Sequence, residues 1–317
     1  MRPEPRSGGE ATMHVHDDHG RLFVRDGAVT LAEYVYEPTE ATRESPRPYA
    51  LLRSRSDVSV TAYRPSDHVW HKGLSLALPV VGPHNFWGGP TYVHGDGYVQ
   101  LPNNGTQRHK GAEVRVDADG VARVEEALDW IAESGELVLE EERTLTARIV
   151  DDTTWALTWR SALRNVSRAP LGFGSPTSKG RENAGYAGIF WRGPVDFTGG
   201  EIVSPVGGGG DGIRGEPGPW LAFIAPDRDA GILMIDASDP VTGTGNPWFA
   251  RSEEYAGLNP SPFFHTDTLL PAGETLVLAA ALVVGDVDVA DLAPTVGAAL
   301  VAEIRAHLHS RLEETPA

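Results

Sequence analysis

TWALTWRSALRN, Thr154 to Asn165, alternates with the two-residue period of a strand: Trp155, Leu157, Trp159, Ser161 and Leu163 fall on one side, Thr158, Arg160 and Arg164 on the other. A segment with one apolar face needs a second layer to bury it. Working outward, similar short runs occupy Gly27 to Tyr36, Val58 to Tyr63, Gly111 to Val116, Val121 to Leu128, Leu137 to Ile149, Leu221 to Ala225, Gly231 to Asp236 and Thr275 to Val284. Turn signals separate them at Ala118-Asp119-Gly120, Asp151-Asp152 and Pro271-Ala272-Gly273. Many strands without intervening amphipathic helices predict an all-β chain, a large antiparallel β-sandwich, rather than an α/β fold. One C-terminal α-helix is expected, where Leu292, Val296, Leu300, Ile304 and Leu308 recur every four residues behind Asp291 as N-cap and Pro294 in the first turn.

The 317 residues are then divided into a flexible tail at 1–18, a sandwich domain at 19–287 and a helix at 288–314 packed on it. Met13 could be the true start. HVHDDH, His14 to His19, is expected to be floppy, with at most adventitious metal binding. The run Gly199 to Gly218, with its GGGGDG, lacks the Gly-Lys-Ser/Thr ending of a phosphate loop and is expected to be a mobile loop.

The chain has no cysteine, which excludes thiol catalysis, thiolate metal centres and disulfides, and fits a reducing cytoplasm. No signal-peptide core and no apolar run of about 20 residues is present, so no membrane association is expected. A formal net charge of −17 argues against nucleic acid as a partner. A homo-oligomer remains open.

Chemistry-bearing residues concentrate between Asp67 and Tyr92: Asp67, His68, Trp70, His71, Lys72, His84, Asn85, Phe86, Trp87 and the Gly88-Gly89-Pro90 turn. Histidine exchanges protons near neutral pH, and tryptophan offers a flat apolar face with one donor. Such faces beside hydrogen-bonding groups suit a sugar ring, so a small carbohydrate is the expected ligand. The plainer alternative makes the aromatics core residues and the histidines partners of buried backbone. Gly180 to Pro194 adds Glu182, Asn183, Tyr186 and Trp191; Asn246 to Phe264 adds Arg251, able to grip a carboxylate. Glu141 and Arg143 share a strand face with Leu139 and Leu145, which a buried ion pair explains. The expected catalytic group is His71 or His84 as acid, Glu182 as base and Asp67 beside them, with His68, Trp70, Asn85, Trp87, Asn183, Tyr186, Trp191 and Arg251 binding substrate. No cofactor is expected. If a divalent metal is bound, His68, His71 and His84 are its candidate ligands, although positions three apart would diverge on a strand.

The ordered motifs RPSDHVWHKGLS, NFWGGPTYV, GYVQLPNNGTQRHKG, ERTL, FGSPTSKGRENAGYAGIFWRGP and NPWFARSEEYAG resemble the bacterial PmoA-like family, over roughly Tyr36 to Gly285. A methane-oxygenase activity is incompatible with a chain that has no spanning helix. Relatives commonly carry Asp-His-Pro-His-His-Arg-Gly-Leu; Asp67, His68, His71, Gly73 and Leu74 match it, while Val69, Trp70 and Lys72 depart, so the relatives' extra histidine has no counterpart. The resemblance implies a carbohydrate or oxidised-carbohydrate substrate, and the architecture looks like the galactose-mutarotase-type supersandwich. Hydrolysis, elimination and epimerisation of a sugar or glycoside, a non-catalytic sugar-binding module, and a metal-dependent enzyme are the competing expectations.

Overall fold

The structure, a computed structural model, describes residues 13–238, 245–286 and 289–304. Two large antiparallel sheets face each other, as the alternation predicts. One runs, edge to edge, Met13–Asp17, Arg21–Asp26, Val29–Val35, Tyr49–Leu52, Leu74–Ala77, Gly188–Arg192, Gly257–Pro260 and Trp248–Arg251. The other runs Gly207–Gly208, Glu201–Ser204, Trp220–Ile224, Gly231–Asp236, Thr275–Gly285, Thr154–Asn165, Leu137–Ile149, Ala122–Ile131 and Thr106–Val116. Thr154–Asn165 is interior to its sheet, pairing with Leu137–Ile149 on one side and Thr275–Gly285 on the other. Its Trp155, Leu157, Trp159 and Leu163 meet Leu22, Leu74, Leu76 and Trp191 of the facing sheet in one apolar core. Each such side chain taken from water contributes about 1.5–3 kcal/mol.

Polar groups on the inner faces bond to one another. Arg143 and Glu141 are fully buried and doubly bonded, at 2.7 and 2.8 Å. Glu141 also accepts from Trp130 Nε1 at 2.7 Å and Ser161 Oγ at 2.5 Å. Arg143 donates to the Tyr34 hydroxyl of the facing sheet at 2.9 Å and to Gln107 at 3.0 Å. Tyr34 in turn donates to Glu126, which His109 also contacts at 2.7 Å. Burial opposes the charge on Arg143, but Glu141, Tyr34 and Glu126 outweigh it and hold the guanidinium above its ordinary pKa.

The outer face of the nine-stranded sheet is covered at one end by the C-terminal segment, whose Val289, Ala293, Leu300 and Ile304 pack on Ala156, Leu233 and Val283. Thr158, on the polar side of its strand, is therefore buried as well, and bonds Thr146 at 2.5 Å. The segment starts as a 3-10 turn at Val289–Leu292, continues as a π turn at Ala293–Gly297 and is α-helical over 298–304. Asp291 thus lies inside the 3-10 turn rather than capping a helix; Leu308 falls outside the described residues.

Three other expectations change. Met13–Asp17 is an edge strand, not the end of a tail: it pairs with Arg21–Asp26, and Met13 is buried in the core. Val58 to Tyr63 makes only isolated bridges, Arg53 to Ser59 and Tyr63 to Lys72. The glycine-rich run folds as two short strands and a 3-10 turn, fixed where Asp211 accepts the Ser252 amide at 2.6 Å and Arg214 donates to the Ala250 carbonyl at 2.9 Å.

Arg143→Met strands the Glu141 carboxylate in the core and should cost about 3–5 kcal/mol in urea unfolding, whereas the double replacement Glu141→Leu with Arg143→Met should cost less than the single. Equal costs for the two would mean that the ion pair is not what the core depends on.

Candidate functional site

The site lies on the outer face of the eight-stranded sheet and follows from strand parity. In Gly188–Arg192, Ile189 and Trp191 point into the sandwich core, so Phe190 and Arg192 point out. In Trp248–Arg251, Trp248 and Ala250 are inward, while Phe249 lies in a separate outer aromatic cluster. That cluster holds Ala77, Trp87, Phe190, Phe249, Tyr255 and Phe264, with Trp70 and Tyr186 packed against it.

Asp67, His68 and His71 reach this face from consecutive turns, in which the His68 amide bonds Pro65 O at 3.0 Å and the His71 amide bonds His68 O at 2.9 Å. Because the segment turns instead of extending, residues three apart come to the same side. Their imidazoles stack nearly parallel, with centroids 4.7 Å apart and planes 8° apart. Arg192 joins them: Nη1 lies 3.1 Å from His71 Nδ1, and Nη2 lies 3.1 and 2.8 Å from the two Asp67 oxygens. Its guanidinium stacks 3.8 Å over the Tyr255 ring.

These contacts fix the tautomers. A guanidinium only donates, so His71 Nδ1 must accept and the ring proton sits on Nε2. Burial pushes the His71 pKa well below its ordinary value, and the charges of His68, Arg192 and Arg47 push it further; the ring is neutral. Burial acts to raise the Asp67 pKa, but hydrogen bonds from His68 and Arg192 outweigh it and keep the carboxyl below its ordinary range, hence ionised. An ionised carboxylate only accepts, so the His68 Nδ1 that lies 2.8 Å from it donates. The stacked rings therefore face opposite partners, His71 Nδ1 a guanidinium and His68 Nδ1 a carboxylate.

A buried arginine holds the neighbouring tryptophans. Arg47 donates to the carbonyls of Trp70 at 2.7 Å, Trp87 at 2.9 Å and Ser45 at 3.0 Å, and to Ser75 Oγ at 3.1 Å. Burial lowers its pKa to about 10, which leaves it charged at neutral pH. Gly88 and Gly89 have φ of +101° and +68° and lie so close to Trp70 that a Cβ on either would come within 2.7 Å of it. Asn85 shapes the same turn, accepting from the amides of Trp87 at 2.8 Å and Gly88 at 3.0 Å.

A cavity of about 360 Å³ opens here, within the ~300–1,000 Å³ range of small-molecule sites. His68, Trp70, His71, Trp87, Tyr186 and Arg251 line it, together with Tyr98, Arg181, Phe249, Glu254 and Tyr255. Trp87 lies against Tyr186, with ring centroids 4.4 Å apart. Arg251 pairs with Glu254.

Other expected residues are elsewhere. Trp191 is fully buried in the core, donating to Val60 O at 2.8 Å. Glu182 and Asn183 are exposed and do not line the cavity; Asn183 takes a left-handed turn, φ +56°. His84 bridges to Val81, packs on Phe86 and is also absent from the lining, so the ligand triad His68, His71 and His84 is not assembled. Asn85 is a loop organiser, and Asp67 acts on the cavity through His68. Lys72 is buried against Glu44 and Glu40. Among the described residues no three His, Asp or Glu side chains are grouped to hold a metal, and no helix is long and apolar enough to cross a membrane. Arg192, Tyr98, Arg181, Phe249, Glu254 and Tyr255 are site residues outside the expected set; the outward parity of IFWR contains the signal for Arg192.

The model of a family of unknown function, DUF6807, matches residues 21–294. Its description names no activity, so the PmoA-like label that the motifs suggest draws no support from it. No curated protein matches the sequence. Similar solved structures include a heparan sulfate lyase HepC mutant from Pedobacter heparinus, at 7% identity and TM-score 0.38, covering 87% of this chain and 35% of that one. A GH36 alpha-galactosidase AgaA variant from Geobacillus stearothermophilus has 12% identity and TM-score 0.41, covering 87% and 41%. A GalM/aldose epimerase homologue from C. elegans has 8% identity and TM-score 0.35, covering 88% and 97%. The chain spans about a third of the length of the first of these.

The tautomers are directly measurable. Long-range ¹H–¹⁵N spectra should show His71 protonated at Nε2 and uncharged as the pH falls through ~6.5, the ordinary histidine value. Arg192→Met should move its pKa up, though not fully, since burial remains. Below the ordinary histidine pKa the unfolded chain binds a proton at this position that the folded chain refuses, so this residue's share of stability is present above that pH and lost on acidification. A His71 that titrates normally, or carries its proton on Nδ1, would remove the basis for the pairing.

Proposed function

This chain belongs to the DUF6807 family of unknown function, and we propose that it is an enzyme that moves a proton on a sugar bound against Trp70, Trp87, Tyr186 and Tyr255. The observation that carries the reading is the stacked His68–His71 pair at the cavity, with one Nδ1 against a carboxylate and the other against a guanidinium; in this reading His68 Nε2 is the base, and His71 Nε2–H donates a hydrogen bond to the oxygen on which negative charge develops. Asp67 and Arg192 position the two rings. The aromatic side chains cover the apolar C–H face of the ring and leave its hydroxyl edge to the polar groups.

Elimination or epimerisation fits this arrangement better than glycoside hydrolysis. Hydrolysis uses two carboxyl groups flanking the scissile bond, whereas Glu254 is the one carboxylate among the described lining residues and it is engaged by Arg251. The non-catalytic module remains the competing reading because the same aromatic platform serves it; the histidine pair separates the two.

Wild type, His68→Ala and His71→Ala should be assayed on a panel of glycosides and 3-oxo-glycosides. His68→Ala should lose ~100-fold or more in kcat with a smaller change in KM, as expected for a general base. Trp87→Ala should act mainly on KM. Wild-type rates in both histidine variants would sink the assignment, and binding without turnover by the wild type would replace it with the module.

A further inference from the structure

Among the arginines around the cavity, Arg181, Arg192 and Arg251 are not equivalent. Arg192 is neutralised by Asp67 and Arg251 by Glu254. Arg181 meets no carboxylate among the described residues. Its contacts are the hydroxyl of Tyr98, to which Nη1 donates, and the face of the same ring, 4.7 Å from the guanidinium. Glu182, the next residue, is exposed and makes no ion pair with it.

This placement is specific. Tyr98 stands on the small hairpin Thr91–Val93 and Gly97–Val99, and its hydroxyl also bonds the Tyr186 hydroxyl at 2.7 Å. Stacking and a hydrogen bond orient the guanidinium on the partly exposed Tyr98 ring, and among the described residues Nε and Nη2 are left over as donors. In a chain of net charge −17, an uncompensated, oriented cation in the lining of a cavity selects for negative charge there.

Resting on the reading of the cavity as a sugar site, we propose that the sugar is anionic, bearing one negative charge of carboxylate or sulfate chemistry that Arg181 binds through its free donors. A single guanidinium without an acid partner matches a monoanion; a phosphate dianion would bring one charge too many.

The test compares methyl β-glucuronoside, methyl β-glucoside and glucose 6-sulfate, with binding followed by Trp fluorescence and ligand-observed NMR on the full chain. The glucuronoside should bind ~10-fold or more tightly than the glucoside, and Arg181→Gln should bring that ratio to within about twofold. Arg181→Lys, which keeps the charge but not the fork, should retain part of the preference, and its unfolding curve separates a binding loss from a folding one. The preference should also fall with added salt. Sulfate binding equal to the glucuronoside, with the same loss in Arg181→Gln, supports recognition of charge in either form; binding of the glucuronoside alone assigns the carboxylate. Equal binding of glucuronoside and glucoside, or a preference that survives Arg181→Gln, overturns the proposal while the sugar site stands. Failure of all three sugars to bind removes the sugar site and this inference with it.

Discussion

A guanidinium cannot accept a hydrogen bond, and the chemistry available in this cavity depends on that restriction at Arg192. From one outward position on Gly188–Arg192 it reaches His71, Asp67 and the face of Tyr255. By donating to His71 it forces the proton of that ring to the far nitrogen; by pairing with Asp67 it keeps ionised the carboxylate that orders His68. Two chemically identical side chains thereby face opposite partners, a carboxylate at one and a guanidinium at the other. Lysine at this position would supply charge, but not a planar fork that spans both partners while lying on an aromatic ring.

The architecture was largely legible in the sequence, because period-two alternation is a direct imprint of a two-layer core. TWALTWRSALRN carries it without interruption, and the sandwich follows. The site was legible in region but not residue by residue. Asp67 to Tyr92, Gly180 to Pro194 and Asn246 to Phe264 do meet at one cavity. In IFWR residue type and parity point to different side chains: the aromatic that faces the site is Phe190 and the polar group is Arg192, while the tryptophan goes inward. Glu182 is a lone carboxylate in a glycine-rich loop, and nothing local to the sequence reveals that such a loop turns it to solvent. Conversely, the stacking of His68 on His71 hinges on a turn after Pro65 that a strand-based reading excludes.

The two sheets divide their outer faces between different duties. The C-terminal segment covers part of the nine-stranded sheet with Leu300 and Ile304, and the aromatic cluster covers part of the eight-stranded one. Between them, the Glu141–Arg143–Tyr34 chain crosses the core. Such a chain demands one relative placement of the layers, since any slip would leave charge without partners in a medium that cannot solvate it. Strands that carry the cavity residues on one side are thereby registered on the other.

Gly88 and Gly89 lie under Trp70 without room for a methyl group, and Arg47 fastens the same tryptophan by its carbonyl. The wall of the cavity is thus assembled before any ligand arrives, and little side-chain entropy remains to be lost on binding. A cavity of this kind discriminates by fit and does not mould itself to its guest. Ligands that differ in the orientation of a single polar group should differ in enthalpy rather than provoke rearrangement, and affinity across a ligand series becomes a map of the wall.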